Sequence, residues 1–236
     1  MGWFADRIGL KAVSAHKKQN KPEALRLYRE AFSKGSGNPA VLKSYASLTL
    51  REGLYDESLQ VLKRLDSLPG LSESDRNEAF ADYAVVLWKK GHLDHAIKIL
   101  QERLEKGKNG LIYSVLGYLL IEKGDTEEAL RLNREALEYD DEDPIFLDNM
   151  GQTCYRLMND EKEAEIWFRR ALRNKPNAID TNYFLARIEG ARGEKESAIK
   201  RLDLAAEGNF SPLNYASPEL IAALRKELSD ASFASE

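Results

Sequence analysis

A single cysteine, Cys154, in a chain of 236 residues excludes an intramolecular disulfide framework and fits a reducing compartment. It falls among core-facing positions of a helix, where it reads as a small buried hydrophobe and not a reactive thiol. Histidine is almost as scarce. His92 and His95 are spaced i, i+3, but one falls in a hydrophilic turn and the other on the exposed start of a helix, and no Cys/His set has zinc spacing. Asp140-Asp141-Glu142-Asp143 lacks the glycine and the alternating ligands of a calcium loop. No glycine-rich phosphate loop follows a strand, and nothing orders Ser, His and Asp into a nucleophile and its base. Catalytic residues, cofactors and metals are therefore not expected. No segment approaches the ~18 apolar residues of a membrane span, and the opening Met1-Gly2-Trp3-Phe4-Ala5 is too short for the apolar region of a signal peptide. With 35 Lys and Arg against 39 Asp and Glu, the net charge of −4 gives no general affinity for nucleic acid, which needs clustered cations. The expectation is a soluble, cytoplasmic protein that acts through partners.

What the chain has instead is a period. Small residues recur at Ala24, Ser58, Ala96, Ala129, Ala164 and Ala198, at intervals of 34, 38, 33, 35 and 34 residues. Recurrence near 34 residues means one supersecondary unit copied and stacked, because a single copy cannot bury its own apolar face. The copy at 110–143 is the cleanest. Tyr113, Leu116, Gly117 and Leu120 form an i, i+3, i+4, i+7 stripe on its first helix. Gly124-Asp125 supplies a C-cap and then an N-cap, and Glu127 and Glu128 fall where the next helix dipole favours anions. A second helix follows through Ala129, Leu130, Leu132, Ala136 and Leu137, and Asp143-Pro144 opens the next copy. The turn at Asn159-Asp160 has one extra residue. The longest departure is Leu68-Pro69-Gly70-Leu71-Ser72, which predicts a lengthened helix behind it with Ser72 as its cap. The copies span 5–38, 39–72, 73–109, 110–143, 144–178 and 179–211, and a helix at 217–230 with one wet face closes the array, giving a single domain over 1–236.

This pattern resembles the tetratricopeptide repeat family, whose unit is a helix–turn–helix. The family's small residue in the first helix is met by Ala12, Ala46, Ala84, Gly117, Gly151 and Ala186, and its Ala early in the second helix by the six residues above. The large apolar position four residues later is met by Tyr28, Leu62, Leu100, Phe168 and Leu202, with Asn133 departing. The small position after it is met by Ala31, Ala136, Ala171 and Ala205, with Leu65 and Arg103 departing, so distortion is expected among the second, third and fourth copies. The resemblance covers about residues 5–208. It implies an all-α fold, a right-handed α-solenoid of about six helix–turn–helix repeats with a C-terminal capping helix.

The resemblance also implies a function: a scaffold or adaptor that binds a partner segment in the concave groove lined by the first helices, with no chemistry of its own. Carried over by register, that groove takes Lys43 and Arg51, then Val85, Trp88 and Lys89, then Tyr118 and Ile121 with Ser114 and Glu122 beside them. It continues with Gln152, Tyr155 and Arg156 beside Asp148, and ends at Tyr183 and Arg187. Aromatics and arginines dominate recognition hot spots, so the expected partner is a protein or peptide segment with apolar anchors and nearby acidic residues. The two-carboxylate clamp with which some members hold chaperone tails is not assembled, because Ser47 and Asp82 stand where it needs asparagines. The competing class is a regulatory or auxiliary subunit of an enzyme complex, or the soluble cytoplasmic part of a membrane-anchored assembly protein.

Charge is distributed unevenly. Residues 1–35 carry Arg7, Lys11, Lys17, Lys18, Lys21, Arg26, Arg29 and Lys34 against Asp6, Glu23 and Glu30, a net +5, which leaves −9 for the rest. Trp3, Phe4, Ile8 and Leu10 precede or punctuate these cations. That combination suits a first repeat near an anionic cytoplasmic leaflet, the alternative being a plain cap packed on the first repeat or on a second copy of the chain.

Overall fold

A computed structural model describes residues 2–230; Met1 and residues 231–236, the ends of the expected domain, lie outside the described residues. Among the described residues there are thirteen α-helices and no strand. The chain divides into two compact units, one ending at Ile112 and the other beginning at Tyr113.

The N-terminal unit is built from α1 (Gly2–Lys17), α2 (Lys21–Ser33), α3 (Pro39–Arg51), α4 (Tyr55–Asp66), α5 (Glu73–Lys89) and α6 (Leu93–Glu105). The C-terminal unit holds most of α7 (Gly110–Lys123), then α8 (Thr126–Tyr139), α9 (Pro144–Gln152), α10 (Glu161–Asn174), α11 (Ile179–Ala191), α12 (Lys195–Ala206) and α13 (Pro218–Asp230). Odd-numbered helices up to α11 are the first helices of hairpins and even-numbered ones the second.

The small residues sit where the two helices of a hairpin meet. Ala24, Ser58, Ala96, Ala129, Ala164 and Ala198 are each 0% exposed, so none has room for a longer side chain. Large side chains fill the flanks. In the N-terminal unit Tyr28 stacks on Tyr45 at 5.1 Å and 11°, and in the C-terminal unit Phe168 stacks on Phe184 at 5.5 Å and 3°. Such pairs contribute about 0.5–1.5 kcal/mol beyond the area they bury.

The expected caps form. Asp125 accepts from the Glu128 amide and Asp143 from those of Ile145 and Phe146, while Gly124 takes the left-handed φ of +78° that ends α7. Ser72 accepts from the Asp75 amide and opens α5, the longest helix at 17 residues. That lengthened turn resolves the Arg103 exception: its Nε donates to Asn77 Oδ1 at 2.6 Å, its Nη2 pairs with Glu73, and its guanidinium lies 5.4 Å from the Phe80 ring. Leu65, the other exception, is fully buried.

The extra residue of the fifth hairpin is placed differently from the sequence expectation. It is absorbed inside the first helix, where Thr153–Leu157 form a π turn, and not in the following loop. The Met158 amide reaches back to the Thr153 carbonyl at 3.2 Å, and Asn159 then reverses the chain at φ +54°.

Candidate functional site

Register places side chains on a helix face but does not say what covers that face. Of the groove residues carried over from the family, Val85, Tyr118, Ile121, Gln152 and Tyr183 are buried. Lys43, Trp88, Lys89, Tyr155 and Arg156 are half-buried, and Arg51 and Arg187 are exposed. Burial removes the first five from direct contact with a partner.

In the N-terminal unit, Lys43 on α3 is engaged by α5. Its Nζ lies 2.5 Å from Asp75 and 2.9 Å from Glu78, so its charge is met within the fold. Farther along α5, burial pushes the Asp82 carboxyl up to about 6, with Glu78 adding to the effect and Arg51 opposing it. A second carboxylate brought to this spot would be repelled. Lys89 Nζ lies 3.7 Å from the centroid of the Trp88 ring, a cation–π pair at the end of α5. On the other side of α5, facing α4, Lys63, Asp66, Ala79, Phe80 and Tyr83 line a cavity of about 230 Å³.

In the C-terminal unit the first helices share one continuous polar line. Arg156 Nη2 donates to Glu122 at 2.7 Å and its Nη1 to Gln152 Oε1 at 3.0 Å. Gln152 Nε2 donates to Asp148 Oδ2 at 2.7 Å, and Thr181 Oγ1 donates to Asp148 Oδ1 at 2.5 Å. Beside Thr181, Asp180 turns to the segment that follows α12. It accepts from the amides of Tyr215 at 3.1 Å and Ala216 at 2.9 Å, and from Asn214 Nδ2 at 3.2 Å. The Tyr215 ring packs 5.0 Å from Phe184 and 6.0 Å from Tyr183, with the Arg156 guanidinium 4.4 Å from its centroid. Tyr183 is therefore occupied by this chain's own Tyr215. Burial pushes the Asp148 carboxyl up to about 7, and the charge of Asp180 adds to it. Burial also raises Asp180, against which its three donors work. Arg187 remains exposed, 5.8 Å from the Tyr155 ring.

Asp75, Glu78, Asp180, Thr181 and Tyr215 were not candidates on sequence grounds. A signal existed: Asp180 and Asn214 are separated by one period, |i−j| of 34, and Lys43 and Asp75 by 32, so the first contact joins the last copy to the segment after it and the second joins neighbouring copies. Cys154 is buried and its thiol is pushed up to about 11 by that burial. Among the described residues no group of three or more His, Cys, Asp and Glu could hold a metal ion. No described helix is long and apolar enough to cross a membrane.

The arrangement has close counterparts in fold. A family model described as tetratricopeptide repeat matches residues 114–179, within the C-terminal unit. Those residues resemble the tetratricopeptide repeat family, and the chain shares the fold of solved tetratricopeptide repeat proteins. A tetratricopeptide repeat protein from Parabacteroides merdae superposes with a TM-score of 0.79 at 17% identity, covering 95% of this chain and 84% of that one. PilW, a type IV pilus biogenesis factor, superposes with a TM-score of 0.67 at 14% identity, over 95% of this chain and 100% of its own. The Cut9–Hcn1 hetero-tetramer of the APC/C gives a TM-score of 0.68 at 15% identity, over 95% of this chain and 42% of the other. No curated protein matches the sequence. At these identities the likeness is one of fold.

Proposed function

We propose that this chain is a protein-interaction scaffold that holds extended segments against its first helices and performs no chemistry of its own. The observation that carries this reading is the seat of residues 214–216. There a carboxylate takes successive backbone N–H groups while Arg156, Tyr183 and Phe184 receive an aromatic ring. Backbone capture with an aromatic anchor is a general way to bind an extended peptide. That seat is filled by this chain's own segment, and first-helix side chains of the same kinds that remain uncovered are the ones proposed to hold a segment of another. The hetero-tetrameric Cut9–Hcn1 assembly, similar in fold, supports the class of role.

The residues proposed to meet a partner are those left at the surface of the first helices: Arg51, Trp88 and Lys89 in the N-terminal unit, Tyr155 and Arg187 in the C-terminal one. Their aromatics and cations favour a segment with apolar anchors and acidic neighbours. The test is site-specific photo-crosslinking in cells, with benzoylphenylalanine replacing Trp88 or Arg187, and Lys98 on the exposed face of α6 as the control. A defined partner captured from the first-helix positions and not from position 98 is expected. Partner capture from position 98 alone would place recognition on the second helices.

A further inference from the structure

The first helix presents a surface that the scaffold reading does not use. Helix α1 packs Ala5, Ile8, Gly9 and Ala12 into the N-terminal unit, with Gly9 so close to α3 that a Cβ there would fall 2.5 Å from a Val41 methyl. On its other side three large apolar side chains stand in solvent: Trp3 at 72% exposure, Phe4 at 59% and Leu10 at 52%. At 3.6 residues per turn, Trp3, Phe4, Arg7, Leu10 and Lys11 fall on one face within roughly 120° of arc, and Lys18 just past the helix end continues it. The apolar and cationic groups are interleaved. The Arg7 guanidinium lies 4.9 Å from the Trp3 ring, and Lys34 Nζ, from the end of α2, lies 5.1 Å from the Phe4 ring. Asp6 is the sole carboxylate of α1, and it sits at the flank, accepting from Ser36 Oγ at 2.7 Å.

We propose that this face of α1 docks on an anionic lipid surface, with Trp3, Phe4 and Leu10 at the headgroup level and Arg7, Lys11 and Lys18 against lipid phosphates. Charge complementarity selects this occupant. Lys34 beside Phe4 is already paired with Glu30 at 2.7 Å, but the α1 residues of this face are Arg7 and Lys11 with no carboxylate among them, so a second copy of the chain would bring like charges together, whereas an anionic leaflet supplies the missing sign. Shape agrees: the apolar groups stand out from one convex helix, and a fluid interface can close around them. Tryptophan with flanking cations is the composition that partitions to the boundary between headgroups and acyl chains.

The experiment is flotation of the full chain with vesicles of phosphatidylcholine alone and with vesicles of about seven parts phosphatidylcholine to three of phosphatidylserine, at low and at physiological salt. Recovery with the anionic vesicles, weakened by salt and about tenfold above that with neutral ones, is expected. Trp3→Ala with Phe4→Ala, and separately Arg7→Glu with Lys11→Glu, should each lower it about tenfold, with circular dichroism unchanged because all four side chains are exposed. Equal recovery with neutral and anionic vesicles, or none with either, would overturn the proposal. So would a dimer in analytical ultracentrifugation that Trp3→Ala and Phe4→Ala abolish while flotation stays the same.

Discussion

A Cβ added to Gly117 would lie 2.1 Å from Oδ1 of Asn133. The two residues are each other's explanation. Asn133 stands where the repeat pattern asks for a large apolar residue, and it is fully buried with its Nδ2 donating to Thr153 Oγ1 at 3.1 Å. Its Oδ1 has no hydrogen-bond partner. The amide fits because α7 offers no side chain at 117, and Asn149, donating to the Ser114 carbonyl at 2.9 Å, closes the other flank. Gly117→Ala should destabilise the chain by about 1–3 kcal/mol through overpacking. In urea denaturation, Gly117→Ala combined with Asn133→Ala should cost less than the sum of the two single changes, because the second relieves the clash of the first. Simple additivity would mean the close approach is not what limits position 117.

Ala129→Leu should cost a similar amount, about 1–3 kcal/mol, since Ala129 is 0% exposed at the meeting of α7 and α8. An unchanged melting curve would contradict that packing.

The seat of the C-terminal segment makes its own prediction. Removing the Asp180 carboxylate with Asp180→Ala takes away the acceptor for the Tyr215 and Ala216 amides. Bonds to a charged acceptor are worth about 1.5–3 kcal/mol, so exchange of those amides should accelerate on the order of tenfold to a hundredfold. Hydrogen exchange followed by NMR or mass spectrometry reads this directly; protection equal to that of the unaltered chain would mean the segment is held by its ring contacts alone.

Asp148 gives a pH dependence of unusual sign. Its carboxyl is raised to about 7 by burial and by Asp180, whereas an unfolded carboxyl releases its proton near pH 4. Between those values the folded state retains a proton that the unfolded state has lost, so stability falls as pH rises through the window. Asp82, raised to about 6, acts in the same direction in the N-terminal unit. Thermal melts should show the chain more stable near pH 5 than near pH 8, and Asp148→Asn should flatten part of that slope. A Tm that rises steadily from pH 5 to 8 in both proteins would refute the assignment.

The hairpins were legible because close helix approach needs a small residue at a fixed place, and a residue type at a fixed interval is what a sequence displays most openly. Helix caps and the long α5 followed for the same reason, each being local. The burial of Tyr118, Gln152 and Tyr183 was not legible. Gln152 is held between Asp148 and Arg156 of its own helix and Tyr183 is covered by Tyr215 from the segment after α12, whereas helical register reports only the direction in which a side chain leaves its own axis. The pairing of Lys43 with Asp75 and Glu78 was hidden likewise: three residues polar enough for solvent meet one another across two helices instead. Arg103 looked like a violation of the pattern because Asn77 and Glu73, which receive it, lie in a stretch that only this hairpin has.

The π turn at Thr153–Leu157 has a bearing on how the repeats should be aligned with one another. From Gly117 to Ala129, as from Ala186 to Ala198, the two small residues of a hairpin are 12 apart; from Gly151 to Ala164 they are 13 apart. The surplus residue is stored as a widened helical turn, so α10 begins in step with its neighbours although the numbering has slipped. Beyond Thr153, equivalence between this hairpin and the others therefore runs one number late. A comparison by strict period would set Tyr155 against Ile121 and Arg156 against Glu122, whereas the widened turn sets them against Leu120 and Ile121.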